Sequence, residues 1–200
     1  MNKFICLGAH DGDMVRVLDK LNTKEVLGVE NINWDEIHLF EPQPEHSTTL
    51  LALQKLDNRI HYHTEAAYIE DNSMDFYIRG HFNTNVGSTL DNKKHSGTLK
   101  QIIKVNTVDF IKWLENNTDS NDFIFLDMDI ECGEYYIMTE LIKNPIRERI
   151  NFLSIEWHHG KSTTWLGQEK IIEKEVNEYF GSRLLNHTLI IKNVINNIKG

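Results

Sequence analysis

The sequence predicts an α/β fold with a doubly wound, mostly parallel sheet and helices on both of its faces. Apolar runs of four to six residues, typical of buried strands, alternate along the chain with segments of helical periodicity. The clearest runs are 4–7 (FICL), 123–126 (FIFL) and 150–155 (INFLSI), and each ends in polar residues. Parallel strands joined through helices produce this alternation. With 200 residues and 40% hydrophobic content, a single domain over 1–200 is expected.

Composition and charge limit the classes of partner. The formal net charge is -9, and Lys and Arg form no basic stripe, which argues against a nucleic-acid partner because such binding draws on clustered cations. No stretch approaches the roughly 20 apolar residues of a membrane span, and the chain enters its first strand at once. We therefore expect a cytoplasmic protein without a membrane partner. Cys6 and Cys132 have no framework spacing and are expected to be reduced thiols.

The segment after the first strand is a candidate ligand loop. It reads Gly8-Ala9-His10-Asp11-Gly12, and glycines permit a positive φ and a close approach of the backbone to a ligand. The G-x-x-x-G spacing differs from the dinucleotide and phosphate-binding fingerprints, and an aspartate here would repel phosphate. A cofactor with an amine or a sulfonium suits this loop. An ordinary strand-to-helix turn explains the two glycines equally well.

Glu41 stands at the carboxyl end of the second predicted strand, 36–40 (EIHLF). In a doubly wound fold, an acid at this place accepts hydrogen bonds from the two ribose hydroxyls of a nucleoside. It follows the glycines by about 30 residues rather than about 20, and the connector over 23–35 accounts for the surplus. The pattern therefore predicts a nucleoside site between loop 8–12 and Glu41.

The next elements are a helix and a third strand. Pro42 and Pro44 are predicted to end the second strand and to begin a helix over 46–56. Its inward residues are predicted to be Leu50, Leu51, Leu53 and Leu56. Residues 59–64 (RIHYHT) alternate in polarity, which predicts a half-buried strand; the alternative is that its two histidines bind a metal together.

A long polar segment follows a short strand predicted over 74–79. Residues 80–104 are rich in Gly, Asn, Ser and Thr, and they include Gly87-Ser88-Thr89. Loops longer than about 12 to 15 residues in compact domains are usually functional or disordered. We predict a lid or substrate loop, with plain disorder as the alternative.

The second half of the chain places acidic residues after apolar strands. Its predicted elements are a strand over 104–108, a helix over 108–114, a strand over 123–126, a helix over 135–142, a strand over 150–155, a helix over about 168–180 and a last strand over 188–194. The acidic tips contain Asp127, Asp129, Glu131, Glu134 and Glu156, followed by His158. Because strand carboxyl ends meet at one crevice of an open sheet, these tips should face loop 8–12 and Glu41.

Several carboxylates in one crevice need a compensating positive charge. A sulfonium, a metal ion, a shared proton or a partner such as Arg79 could supply it. For Glu131 and Glu134, the alternative is a solvated helix N-terminus, where acidic residues complement the helix dipole.

Five motifs, taken in order, resemble the FkbM family of S-adenosylmethionine-dependent O-methyltransferases over nearly the whole chain. They read LGAHDGD, FEPQP, GSTL, DMDIECGEY and SIEWH. The resemblance implies a class I methyltransferase fold and methyl transfer to a hydroxyl, most often of a sugar or a glycosylated metabolite. The cofactor-binding residues that it implies are Gly8, Ala9, His10, Asp11, Gly12, Glu41, Pro42 and Ala67, with Glu41 at the ribose and Ala67 beside the adenine. Asp129, Glu131 and Glu134 match the acidic motif beside the transferable methyl.

The sequence departs from that family pattern at three places. Cys6 replaces an acid of the first strand, Asp127 stands where the family often has Lys, and Cys132-Gly133 replaces Gly-Ala. The two acidic tips also resemble those of metal-dependent catechol-type O-methyltransferases. That second resemblance implies that Asp127 and Glu156 bind a divalent ion, Mg or Mn, with Asp129 or His158 completing the shell.

Methyl transfer to a hydroxyl requires in-line alignment and removal of the hydroxyl proton. We predict His158 as the base, because histidine titrates in the right range, with Asp129 as the next candidate and Glu131 as a further catalytic residue. The acidic charge favours a neutral small-molecule or glycan acceptor, on which Trp157 and Trp165 could stack; for Trp157, packing in the core is an equal alternative.

Two rival functions are compatible with the sequence. One is a nicotinamide-dependent oxidoreductase, against which the missing G-x-G-x-x-G argues. The other is a non-catalytic domain that binds S-adenosylmethionine or another nucleoside, which the departures at Cys6 and Asp127 would suit.

Overall fold

The computed structural model describes residues 1–18, 21, 23–30, 32–80, 85, 87–188 and 190. Its strands and helices, in chain order, are β1 Asn2–Leu7, α1 Asp13–Leu18, α2 Thr23–Leu27, β2 Glu36–Phe40, α3 Pro44–Leu56, β3 Ile60–His63, β4 Ala66–Tyr68, β5 Asn72–Gly80, β6 Thr98–Asp109, α4 Phe110–Asn117, β7 Phe123–Met128, α5 Glu134–Leu141, β8 Ile150–Ile155, α6 Glu169–Phe180 and β9 Leu184–Asn186. Short 3-10 helices cover Pro145–Arg149 and Gly181–Arg183. Among these elements, no helix is long and apolar enough to cross a bilayer.

The main sheet has six parallel strands in the order β3-β2-β1-β7-β8-β9. The chain therefore builds outward from β1 in one direction and from β7 in the other, and the strand order reverses between these two strands. Ligands bind at such a reversal, outside the carboxyl ends of the strands. The doubly wound parallel sheet predicted from the sequence is confirmed.

Strand β1 is buried on both faces, which explains its continuous apolar run. Ile5 and Leu7 pack into the cluster that contains α4, α5 and α6 residues, whereas Phe4 and Cys6 pack into the cluster on the opposite face. The second cluster includes residues of α1, α2 and α3, such as Leu50. Helices thus cover both faces of the sheet, as the alternating pattern predicts.

A second, three-stranded sheet has the order β4-β6-β5 and stands beside the site end of the main sheet. Strands β5 and β6 form an antiparallel hairpin, and β4 pairs in parallel with β6. The lid predicted over 80–104 is therefore too long, because residues from Thr98 onward belong to β6. Residues 81–84 and 86 of that prediction lie outside the described residues.

Two further predictions need correction. In α3, Leu50 is buried, but Leu51 and Leu56 are 44% and 85% exposed. Four leucines spread over seven residues cannot share one face of a helix that turns 3.6 residues at a time. The last strand of the sheet is β9, which pairs with β8, and not the segment 188–194. Thr188 and Ile190 are helical, and the rest of that segment lies outside the described residues.

Candidate active site

A cavity of about 300 Å³ lies at the carboxyl ends of β1, β2 and β7, beside the reversal of strand order. The predicted site residues on its wall are Gly8, Ala9, His10, Glu41, Pro42, Ala67, Asp127, Asp129 and Glu131. Asp11, Gly12, Glu156 and His158 are absent from the wall, whereas Ser88 of the predicted substrate loop is present, and His46 and His187 are present without having been predicted. The sheet therefore brings most of the predicted residues to one place.

Glu41 is a buried carboxylate that main-chain amides hold at the cavity. Its Oε2 accepts a hydrogen bond from the amide of His10 at 2.9 Å, and its Oε1 accepts one from the amide of Gln43 at 2.9 Å. Burial raises the pKa of Glu41, and the two amides and the neighbouring His46 act in the opposite direction. A carboxylate oxygen has two lone pairs, so each oxygen of Glu41 can accept one further hydrogen bond from a ligand.

The loop after β1 turns tightly and touches both neighbouring strand ends. The amides of Gly8 and Ala9 both donate to the carbonyl of Phe40, at 2.9 and 3.1 Å. Gly8 has φ +85°, and a Cβ at this position would lie 1.9 Å from the carbonyl oxygen of Asp129. His10 also has a positive φ, +48°, which is uncommon for a residue with a side chain. The requirement for glycine at Gly8 is therefore both conformational and steric.

Asp11 contacts the site through a histidine rather than directly. Its Oδ1 lies 2.8 Å from Nδ1 of His46, and the ring of His46 lies 4.0 Å from the ring of His10, centroid to centroid. His46 and His10 both line the cavity. Asp11 thus orients a wall residue, and a direct contact of Asp11 with a cofactor stays a prediction.

Glu131 is held as an anion by two cationic side chains. Nζ of Lys94 donates to Oε2 of Glu131 at 2.5 Å, and Nε2 of His158 lies 3.2 Å from the same oxygen. Burial opposes ionisation, but these hydrogen bonds and charges lower the pKa of Glu131 to about 2. Asp129 differs, because burial and the charge of Glu156 raise its pKa to about 7 against the opposing charge of His158.

His158 is buried among the acids, where both ring nitrogens face carboxylates. Nδ1 lies 3.1 Å from Oε1 of Glu134, which also accepts the His158 amide at 2.9 Å, and Nε2 faces Glu131. Burial opposes protonation, yet the hydrogen bonds and charges of the two glutamates raise the pKa of His158 to about 10. An imidazolium has no lone pair with which to accept a proton. The protonated form that these contacts favour could not act as a base, and the predicted role of His158 stays a prediction.

Asp127 faces a histidine that the sequence reasoning missed. Its Oδ1 lies 2.9 Å from Nδ1 of His187, and its Oδ2 accepts a weak hydrogen bond from the Cys6 thiol at 3.7 Å. Each oxygen of Asp127 thus has one partner within the protein, and its role as a metal ligand beside Glu156 stays a prediction. No motif marks His187, and its only signal is a histidine directly after β9.

Among the residues that the structure describes, three sets of side chains could each offer ligand atoms to a metal ion. The sets are Asp129 with Glu156 and His187, Asp129 with Glu131 and His158, and His10 with Asp11 and His46. In each set, one ligand atom from every residue lies within 4.8 Å of the others. The first set contains two of the predicted ligands, Asp129 and Glu156, with His187 in place of Asp127.

The described part of the predicted lid is fixed to the acidic tips. Thr89 Oγ1 donates to the carbonyl of Glu131 at 2.6 Å, and Asp91 Oδ2 accepts from the hydroxyl of Ser162 at 2.5 Å. Gly87 and Ser88 of this segment line the cavity. This part of the chain is therefore a docked wall of the site.

The two tryptophans considered as acceptor contacts pack against the protein core, which for Trp157 is the alternative that the sequence left open. Trp157 lies 5.3 Å from the ring of Tyr135, and Trp165 lies 4.7 Å from the ring of Tyr136. Neither tryptophan lines the cavity. Their apolar rings are more stable against the core cluster than in water.

Comparison with known proteins identifies a family for the chain. A family model described as "Methyltransferase FkbM domain" matches residues 7–184. Curated proteins gave no match. The chain is also similar to a solved structure of methyltransferase FkbM from Methylobacillus flagellatus KT, with 15% identity and a TM-score of 0.42 over 72% of this chain and 30% of that one. Because the family model spans most of its length, the chain belongs to the FkbM methyltransferase family.

Proposed function

We propose that this methyltransferase uses S-adenosylmethionine and methylates a hydroxyl of a sugar or glycosylated metabolite. The observation that carries the proposal is Glu41, a buried acid at the end of β2 whose two oxygens are fixed by amides and keep lone pairs for ligand hydroxyls. Nucleosides bind at this place in doubly wound sheets. Membership of a methyltransferase family makes S-adenosylmethionine the nucleoside that suits it.

The rest of the cavity suits the other parts of that cofactor. Ala66, Ala67, Phe76 and Leu90 give the wall an apolar region for the adenine, in keeping with the expectation for Ala67. Loop 8–12 would hold the methionine end. The wall carries several carboxylates and, among the described residues, no Lys or Arg, which favours a sulfonium.

In the proposed reaction, the acceptor oxygen attacks the methyl carbon, the carbon–sulfur bond breaks with its electron pair going to sulfur, and the hydroxyl proton passes to a base. We assign the base to Asp129, because it lines the cavity and its side chain is 37% exposed, whereas His158 is buried with both ring nitrogens facing glutamates. In this proposal, the ion pair between His158 and Glu131 lies beside Asp129 and holds its carboxylate in position.

The wall also favours a neutral acceptor. Among the described residues, it contains no Lys or Arg, and its carboxylates would repel a phosphate. Asn85 and Ser88 offer neutral hydrogen-bonding groups, and they replace the tryptophans as the expected contacts of a sugar. Replacing Ser88 by Ala should raise KM for the acceptor several-fold without changing the affinity for S-adenosylmethionine.

The proposal is tested by release of S-adenosylhomocysteine with a panel of neutral glycans, sugar phosphates, RNA and protein. We expect turnover with a neutral glycan and a loss of at least about a hundredfold in kcat in Asp129→Asn, the effect of removing a general base. Asp119→Asn, an exposed position away from the cavity, is the matched control and should keep full turnover.

Three results would change this assignment. Transfer to RNA or to protein side chains, with none to any neutral sugar, would contradict the proposed acceptor and leave the methyltransferase assignment intact. Binding of S-adenosylmethionine without any turnover would favour a non-catalytic binding domain. Binding of NAD in its place would favour an oxidoreductase.

A further inference from the structure

Asp129, Glu156 and His187 follow three adjacent strands and form a group that methyl transfer by itself does not require. One ligand atom from each lies within 4.8 Å of the others. Nε2 of His187 and Oε2 of Glu156 are 3.8 Å apart. Two ligand atoms that share an ion at about 2.1 Å can be up to about 4.2 Å apart, so this pair could bind one ion without moving the backbone.

The orientation of His187 gives independent support for a ligand here. Its side chain is buried, and Nδ1 faces both Asp127 at 2.9 Å and the hydroxyl of Ser154 at 3.3 Å. Among the described residues, Nε2 has no hydrogen-bond partner, and it points toward Glu156. Histidines that bind metals commonly donate the other ring N–H to a carboxylate, which is the position of Asp127.

The charges around the group are not balanced by a permanent cation. In the described part of the chain, Asp129 and Glu156 form ion pairs with His158 and His187 alone. Glu131 next to them has Lys94 at 2.5 Å and Lys161 at 3.8 Å. Partly buried carboxylates without such a partner are favourable sites for a bound cation.

The two other sets of potential ligands are already satisfied by the protein. Both ring nitrogens of His158 face glutamates, and Glu131 has its lysine. Nδ1 of His46 is bound to Asp11, and its Nε2 lies 3.2 Å from the amide nitrogen of Gln43. Neither set leaves a buried ring nitrogen without a partner.

We propose that Asp129, Glu156 and His187 bind a divalent cation of the first transition row, for which Mn²⁺ is the probe. Two carboxylates suit Mn²⁺, and the imidazole should make Mn²⁺ bind more tightly than Mg²⁺. Three protein ligands leave coordination positions open toward the cavity. Asp127, expected from the sequence as a ligand, instead holds the histidine from behind.

Binding of the ion requires only this geometry, whereas its use in catalysis rests on the proposed function. There, one oxygen of Asp129 would bind the cation and the other would remain to accept the hydroxyl proton. The cation would hold the acceptor oxygen and lower the pKa of its hydroxyl.

The test measures Mn²⁺ binding to the full chain after metals have been removed with EDTA. Binding is detected as a loss of the electron paramagnetic resonance signal of free Mn²⁺. We expect one Mn²⁺ per chain and weaker binding of Mg²⁺ in competition. Glu156→Gln and His187→Gln should each weaken Mn²⁺ binding at least tenfold. His159→Gln is the matched control, because His159 is exposed beside the same strand end and lies 3.2 Å from Glu173.

Absence of Mn²⁺ binding at millimolar concentration, or unchanged binding in Glu156→Gln, would overturn the proposal. Glu156 has a 44% exposed side chain, so its variant stays informative even where His187→Gln fails to fold. No cofactor is needed for this readout. A chain that binds Mn²⁺ but not S-adenosylmethionine would keep the cation site and lose the proposed function.

Discussion

The two sides of the cavity neutralise their carboxylates by different means. On the cofactor side, which consists of loop 8–12 and Glu41, the carboxylate of Glu41 is met by two main-chain amides. On the acidic side, which consists of the residues after β7, β8 and β9, Glu131 is met by side chains from distant parts of the sequence, Lys94 and His158. The first side is fixed by the course of the backbone, and the second depends on the complete fold.

This difference predicts where each side is vulnerable. A single side-chain change should unbalance the acidic side, because it removes a countercharge and leaves a partly buried carboxylate. The cofactor side should be sensitive chiefly to changes that displace its backbone. The following variants test this contrast.

Gly8→Ala should produce the largest effect, because Gly8 joins the two sides. Its Cβ would lie 1.9 Å from the Asp129 carbonyl, an atom of the backbone that cannot swing away. We expect a loss of more than about 3 kcal/mol in the free energy of unfolding, measured with urea. Gly28→Ala is the matched control, since Gly28 has φ +70° but nothing within 4 Å, and it should lose only about 1 kcal/mol. Equal losses in both variants would contradict the steric account.

Lys94→Met should have the next largest effect. Lys94 is 3% exposed, and its removal leaves the Glu131 carboxylate and the Gly87 carbonyl without their donor. We expect a loss of about 3 kcal/mol in the free energy of unfolding, as for breaking a buried ion pair from one end. Adding Glu131→Gln should restore part of that loss.

The control for Lys94→Met is Lys93→Met, at the exposed neighbouring position, which should change stability by less than about 0.5 kcal/mol. If the two single variants unfold at the same urea concentration, Lys94 does not stabilise the acidic side.

A smaller effect on stability, which depends on pH, is expected from His38 in β2, the strand that precedes Glu41. Burial, with the charges of His63 and His61, lowers the pKa of His38 to about 4 against the opposing influence of Glu36. A folded-state pKa below the unfolded value of about 6.5 means that this stability is complete above pH 6.5 and falls as the pH approaches 4. Between pH 7 and pH 5 the loss should be about 2 kcal/mol.

Urea unfolding at a series of pH values measures this slope, and His38→Leu should flatten it. His95→Leu, at an exposed position in another part of the chain, should keep the slope of the unchanged protein. A slope in His38→Leu as steep as in His95→Leu would assign the titration to another group.

Local sequence was enough to predict that loop 8–12 and Glu41 lie at one cavity, the side to which we assign the cofactor. The turn at Gly8 and the acid after β2 are set by residues that lie next to one another in the chain, and the structure places both at the cavity. The doubly wound sheet could also be predicted from local sequence. The hydrophobic pattern of each strand and each helix lies within a short segment of the chain.

For the acidic side, the sequence predicted which acids lie at the crevice but not the side chains that pair with them. Asp127, Asp129 and Glu131 were expected at the crevice, but their partners Lys94 and His187 lie in segments without a recognisable motif. The two glutamates that face the ring of His158 and raise its pKa are also brought there only by the fold. Pairings across the fold leave no periodic signal in the sequence, so these roles could be found only in the structure.

The most direct measurement is titration calorimetry with S-adenosylmethionine on the unchanged protein, Glu41→Gln and Asp129→Asn. We expect binding by the unchanged protein and a loss of about 2 kcal/mol, or about thirtyfold, in Glu41→Gln, the cost of losing charge-assisted hydrogen bonds. Asp129→Asn should bind within about threefold of the unchanged protein, since that acid acts on the acceptor. Absence of binding by the unchanged protein, or unaltered affinity in folded Glu41→Gln, would contradict the division of the cavity into a cofactor side and an acidic side.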